Sequence, residues 1–241
     1  MKVALVAPYK FMDKYNSTGF YCMYADQAAA IPGYETWFLK KLAMGSEVIL
    51  DYSHKVPRSY RYIPDIEEYA NLIRSIKPTY AVLPDVEFSH QKTVLATDQF
   101  FLKYSRGTPR IIPQSTKLVG ILHGTTETEL KLCYRDILSY SDIIGLAGSS
   151  EKVISRSKLI TSLKIRKPII LFGVYKDPIS EIPPQKNVIG IVTSFPLRLA
   201  YCGRLLSEFR VSPKQLDFNM VEESNPMIAE RNVKQFLEAC R

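Results

Sequence analysis

Apolar residues in this chain gather in short runs instead of alternating with polar ones. The runs are Lys2–Pro8 (KVALVAP), Glu35–Lys41 (ETWFLKK), Glu47–Ser53 (EVILDYS) and Tyr80–Val86 (YAVLPDV). They continue with Lys117–Gly124 (KLVGILHG), Asp142–Gly148 (DIIGLAG), Pro168–Val174 (PIILFGV) and Val188–Ser194 (VIGIVTS). Near-continuous runs of this kind are the pattern of parallel strands covered on both faces. Between them the spacing becomes helical. Pro64–Ile76 places Ile66, Tyr69, Ala70, Ile73 and Ile76 on one face. Thr126–Tyr140 groups Leu130, Cys133, Ile137 and Leu138, with Thr125 or Thr126 as a cap and acids in the first turn. Gln91–Tyr104, Ser149–Leu163, Leu197–Phe209 and a closing helix over about 226–239 complete the set. Eight strands with helical connections predict a single-domain (β/α)8 TIM barrel over residues 1–241. The second strand is the least defined, and an open doubly wound sheet is the alternative. No GxGxxG or P-loop follows any run, which argues against a nucleotide-binding sheet.

In a parallel barrel the active site surrounds the C-terminal ends of the strands. Those ends read Pro8-Tyr9-Lys10, Asp51-Tyr52-Ser53, Pro84-Asp85, His123-Gly124, Gly145 to Gly148, Gly173 and Val192-Thr193-Ser194. Two aspartates, a histidine and several glycines are therefore expected at one mouth. Aspartates accept hydrogen bonds from ring N–H and amino groups. Glycines let a flat ring or a sugar approach the backbone closely. Each residue also has a plainer reading: a turn or cap for Asp51 and Asp85, a core histidine for His123, helix-entry turns for the glycines. Independent turn preferences need not place polar groups at so many ends of one sheet.

Composition narrows the class further. The apolar share is 46% and the charged share 23%, as in an ordinary soluble globular protein. A chain of 241 residues buries enough core to need neither disulfide nor structural metal. No apolar run reaches the roughly 18 residues that span a bilayer, and the apolar start is too short for a signal peptide. A cytoplasmic location with no membrane contact is expected. Cys22, Cys133, Cys202 and Cys240, with His54, His90 and His123, show no ligand spacing, so no metal and no cofactor are expected. The formal net charge of +8 attracts polyanions if it is gathered on one face. In Lys55–Tyr62 (KVPRSYRY), Lys55, Arg58 and Arg61 interleave with Tyr60 and Tyr62, a mix that suits nucleic acid. Arg156–Lys167 and the segment from Arg198 to Lys214 are also basic. Solvated loops and helix faces are the plainer account of all three.

The order VILDYS, YAVLPDV, LVGILHG, IIGLAG, LFGV and IVTSFPLR resembles the tRNA-guanine transglycosylase superfamily over about Glu47 to Arg198. It is closest to the phage and bacterial branch that inserts 7-deazaguanine bases into DNA. The resemblance implies a (β/α)8 barrel with Asp51 and Asp85 as its central acids. Pro84-Asp85 matches the pair that reads the guanine edge. Asp51, followed by Tyr52-Ser53, matches the acid at the base site. His123-Gly124 and Gly145 to Gly148 match pocket walls. Thr193 and Ser194 stand at the eighth strand end, where the family's nucleophilic aspartate, aligned on Pro196, falls on Val192. The zinc site of the tRNA branch is absent from this chain, which agrees with the DNA branch.

The expected activity is exchange of guanine in DNA for a 7-deazaguanine base by cleavage and re-formation of the N-glycosidic bond. Asp51 is the candidate nucleophile or base, and Asp177 in VYKDP is another carboxylate near the mouth. The expected base-binding residues are Ser53, Pro84, His123, Gly124, Gly148, Thr193 and Ser194. Lys55, Arg58, Arg61 and Arg198 are the expected contacts to DNA, or to RNA. The rival readings are a catalytically silent relative that binds a base or nucleic acid as a partner subunit, and an unrelated barrel enzyme acting on a sugar or nucleoside. A homodimer is compatible with the first two. A phage-encoded protein would work in the host cytoplasm.

Overall fold

The computed structural model describes residues 1–15, 18–52, 65–107, 111–148, 153–173, 187–208 and 225–240. Eight parallel strands form a nearly closed (β/α)8 barrel. They are β1 (Lys2–Leu5), β2 (Phe20–Tyr24), β3 (Glu47–Asp51) and β4 (Tyr80–Val82), then β5 (Lys117–Leu122), β6 (Ile143–Ala147), β7 (Ile169–Phe172) and β8 (Val188–Thr193). The ladder order is β1-β8-β7-β6-β5-β4-β3-β2. β1 and β2 lie side by side at the remaining seam without a ladder. The Thr18 hydroxyl crosses that seam and donates to the Val3 carbonyl at 2.6 Å.

The described helices are α1 (Met12–Tyr15), α2 (Ala25–Ala30), α3 (Tyr34–Ala43), α4 (Ile66–Ile76), α5 (His90–Phe100), α6 (Glu127–Ile137), α7 (Arg156–Leu163), α8 (Phe195–Tyr201) and α9 (Pro226–Ala239). Several of their starts carry side-chain caps. Asp65 and Glu68 form a reciprocal capping box on α4, Thr126 accepts from the Glu129 amide on α6, and Asn225 accepts from the Ile228 amide on α9. Ser155 caps α7 by accepting from the Lys158 amide, so the described helix begins later than the expected Ser149.

One expected strand is a helix. Glu35–Lys41 lies within α3, because Tyr34, Trp37, Phe38 and Leu42 fall on one helical face and pack into the outer core. The second strand is Phe20–Tyr24 (FYCMY), whose residues pair in register with β3 from Phe20↔Glu47 to Tyr24↔Asp51.

Two apolar layers hold the barrel. The outer layer joins strands to helices and includes Phe38, Leu50, Tyr69, Phe100, Leu122 and Phe236. The inner layer fills the barrel with Ala4, Val6, Phe20, Cys22, Ile49, Val82, Ile121, Phe172 and Val192, among others. The two lists alternate along β1 to β7, as parallel strands require, and a register shift opposite Ile169/Ile170 breaks the alternation in β8. At the N-terminal end the barrel is closed by polar groups. Glu47 pairs with Lys2 and accepts from the Tyr80 hydroxyl at 3.2 Å. Burial, with Glu47 beside it, pushes Tyr80 up to about 12. Among the described residues no helix is long and apolar enough to cross a membrane.

Candidate functional site

Asp51 ends β3 and follows Ile49 by two, so strand alternation turns it toward the interior, where it is only 8% exposed. Its ladder partner Tyr24 ends β2. Asp85 lies three residues past Val82, the last residue of β4. Two buried threonines of α5 fix that segment. Thr93 accepts from the Val86 amide and donates to its carbonyl, both at 3.0 Å, and Thr97 donates to the Pro84 carbonyl at 3.2 Å. His123, next after β5 and 1% exposed, bonds Asp85 Oδ2 through Nε2. An ionised carboxylate only accepts, which places the proton on Nε2. His123 Nδ1 is buried and has no hydrogen-bond partner.

The structure therefore brings Asp51, Pro84, Asp85 and His123 to the C-terminal ends of three neighbouring strands. Both aspartates act on one further group. The Tyr69 hydroxyl lies 3.0 Å from the Leu50 carbonyl and 2.7 Å from the Val82 carbonyl, between β3 and β4. Burial, then Asp51, then Asp85 push its pKa well up. Tyr69 stacks edge-on to Tyr52 and packs on Phe100, which stiffens the wall behind the two acids.

The other expected residues are placed as follows. Gly124 is buried where an added Cβ would come within 2.8 Å of Glu129 Cβ, so its glycine admits α6. At Gly145 an added Cβ would meet Ile121 at 2.8 Å and Phe172 at 3.2 Å, so packing of the barrel interior accounts for that glycine. Gly148 is buried just past β6. Val192 faces the interior, which turns Thr193 outward, and the Thr193 hydroxyl accepts from the Phe195 amide at 3.0 Å. Ser194 precedes α8, and half-buried Arg198 lies on it. Ser53, Lys55, Arg58, Arg61 and Asp177 lie outside the described residues.

A second polar group stands at the same mouth beyond β2. Asp26 is 3% exposed and Gln27 2% exposed. Gln27 Nε2 donates to Asp26 Oδ2 at 3.0 Å, while Asp26 Oδ1 and Gln27 Oε1 have no hydrogen-bond partner. Burial raises the Asp26 pKa against the opposing pull of the Gln27 side chain and nearby amides. Beside them, burial raises Cys22, Tyr24 and Tyr34 well above their ordinary values; Asp51 adds to all three, and Asp26 to both tyrosines. The apolar runs do not mark Asp26 and Gln27 as site residues, because they put the second strand at Glu35–Lys41. The stretch FYCMYAD carries the same signal as YAVLPD, an apolar run ending in an acid.

A raised carboxyl pKa has a defined effect on stability. Below the unfolded value, near 4, Asp26 is protonated in both states and contributes nothing. As pH rises past it, the unfolded chain loses its proton first, so the folded state loses ground until its own carboxyl ionises. Asp26→Asn is expected to stabilise the protein at pH 7 in urea melts. The gain shrinks as pH falls toward 4; a gain independent of pH assigns the effect to shape and not to charge.

No family model matches the chain, and no curated protein matches it. Among solved structures it matches L-talarate dehydratase from Polaromonas sp. JS666, complexed with Mg and L-glucarate, at 12% identity with a TM-score of 0.44. That match covers 75% of this chain and 44% of the other, so the chain spans under half the length of that protein. The choice of chemistry rests on the mouth itself. Among the described residues no group of three or more His, Cys, Asp or Glu is placed to hold a metal.

Proposed function

We propose that the protein is a transglycosylase-like enzyme that exchanges guanine in DNA for a 7-deazaguanine base. The supporting observation is that Asp51, Asp85 and His123 stand at the ends of successive strands of one barrel, with His123 bonded to Asp85. In this reading Asp85 accepts from the guanine edge, and His123 fixes its carboxylate through Oδ2. Asp51 attacks the anomeric carbon as the base leaves, forming a sugar ester that the incoming base then displaces. The target nucleotide must leave the base stack to reach a barrel mouth. Arg198 and the basic segment from Lys55 to Arg61 contact phosphates. The protein is a transferase, and DNA and the free base are its partners.

The test is incubation of duplex and single-stranded DNA with labelled guanine or 7-deazaguanine. Incorporation into acid-precipitable DNA is expected, and it is expected to be lost on Asp85→Ala. One observation favours a second reading. Val192, buried at 2% exposure inside the barrel, stands where the resemblance places the nucleophile. A binding protein without exchange activity would retain DNA in a filter assay and incorporate no label, with or without Asp51.

A further inference from the structure

We infer that the end of β2 is a separate binding subsite in which Asp26 and Gln27, beside Asp51, accept N–H donors from an amidine- or guanidine-type group. Asp26 Oδ1 and Gln27 Oε1 are buried acceptors with no hydrogen-bond partner, on side chains 3% and 2% exposed. A buried acceptor left unbonded is costly, and an ionised one more so, so folds retain such atoms where another molecule satisfies them. The two residues are bonded to each other through Gln27 Nε2 and Asp26 Oδ2 at 3.0 Å, which holds the two groups side by side.

The surroundings favour a cation. Asp51 is the ladder partner of Tyr24, two residues before Asp26, so the two acids stand at the ends of neighbouring strands. Among the described residues, the groups that act on Asp26 are Gln27 and backbone amides, with no Lys, Arg or His. A water molecule satisfies a lone pair but leaves the charge of a buried carboxylate such as Asp26 in place. A metal ion wants three or more ligating groups, and no such group occurs among the described residues. A planar N–H fork matches a carboxylate and an amide oxygen held side by side.

The probe is methylguanidinium, followed by amide NMR shifts on the full chain, with tetramethylammonium as a cation that has no N–H. Saturable shifts are expected at residues 24–27 and 49–51 with methylguanidinium alone. Affinity is expected to fall at least about tenfold in Asp26→Asn and in Gln27→Met, since each removes one acceptor. Equal shifts with tetramethylammonium, or none at residues 24–27 with either cation, overturn the subsite. Asp26→Asn is expected to fold, because it removes a buried charge. The probe carries neither purine nor sugar. Absence of base incorporation together with these shifts therefore rejects the exchange reaction and keeps the subsite, and the reverse result does the opposite.

Discussion

Asp51→Ala is expected to lose incorporation of labelled base into DNA by at least about a thousandfold in the proposed exchange, while binding the free base within a few-fold of wild type. The split follows from where the two acids sit. Asp85 lies past β4 with one oxygen on His123, in a segment fixed by Thr93 and Thr97, and is the recognition acid of the proposed reaction. Asp51 lies deeper, on β3 beside Tyr24, and is 8% exposed. A carboxylate that attacks a sugar carbon contributes to the reaction and little to holding the base. Asp85→Ala therefore gives the complementary result, with base binding lost first because His123 Nε2–H and the base edge share that acceptor. Equilibrium binding of guanine and single-turnover incorporation, measured on the same preparations, separate the two roles. Full incorporation by Asp51→Ala removes Asp51 from the chemistry.

Phe20→Ala is expected to cost about 3–5 kcal/mol in urea unfolding. Phe20 is 1% exposed inside the barrel, edge-on to Tyr80 at 6.1 Å between centroids. It occupies the space over Gly190, where an added Cβ would lie 2.7 Å from its ring. The neighbouring strands close around that ring, so its removal leaves a hole that a parallel barrel cannot collapse to fill. Trp37→Ala, on the partly buried face of α3, is expected to cost less. The reverse order would mean that ETWFLKK, and not FYCMY, supplies the second strand.

The same pair of segments shows what could be read in the chain. Seven of the eight strands were legible because apolar runs such as VILD and LVGIL are bounded by polar residues on both sides. In FYCMY the run passes directly into Ala25 and a short helix, with no Gly or Pro to mark its end. ETWFLKK has Thr, Trp and Phe, which favour strands, but its contacts repeat every three to four residues through Tyr34, Phe38 and Leu42. Tertiary packing decided that segment. Asp51 and Asp85 were legible as acids ending apolar runs. The bond from His123 to Asp85 joins residues 38 apart in sequence, and only the ladder between β4 and β5 brings them together. Asp26 and Gln27 became visible once β2 was in place.

Seven ladders fasten this ring of strands, and its eighth junction is crossed by a threonine hydroxyl. A closed hoop resists widening everywhere alike; a hoop with one weak clasp yields there. The clasp runs along β2, whose upper end leads into the acid and amide of the proposed subsite. The one junction without a ladder therefore lies on the flank that holds buried Asp26 and Gln27.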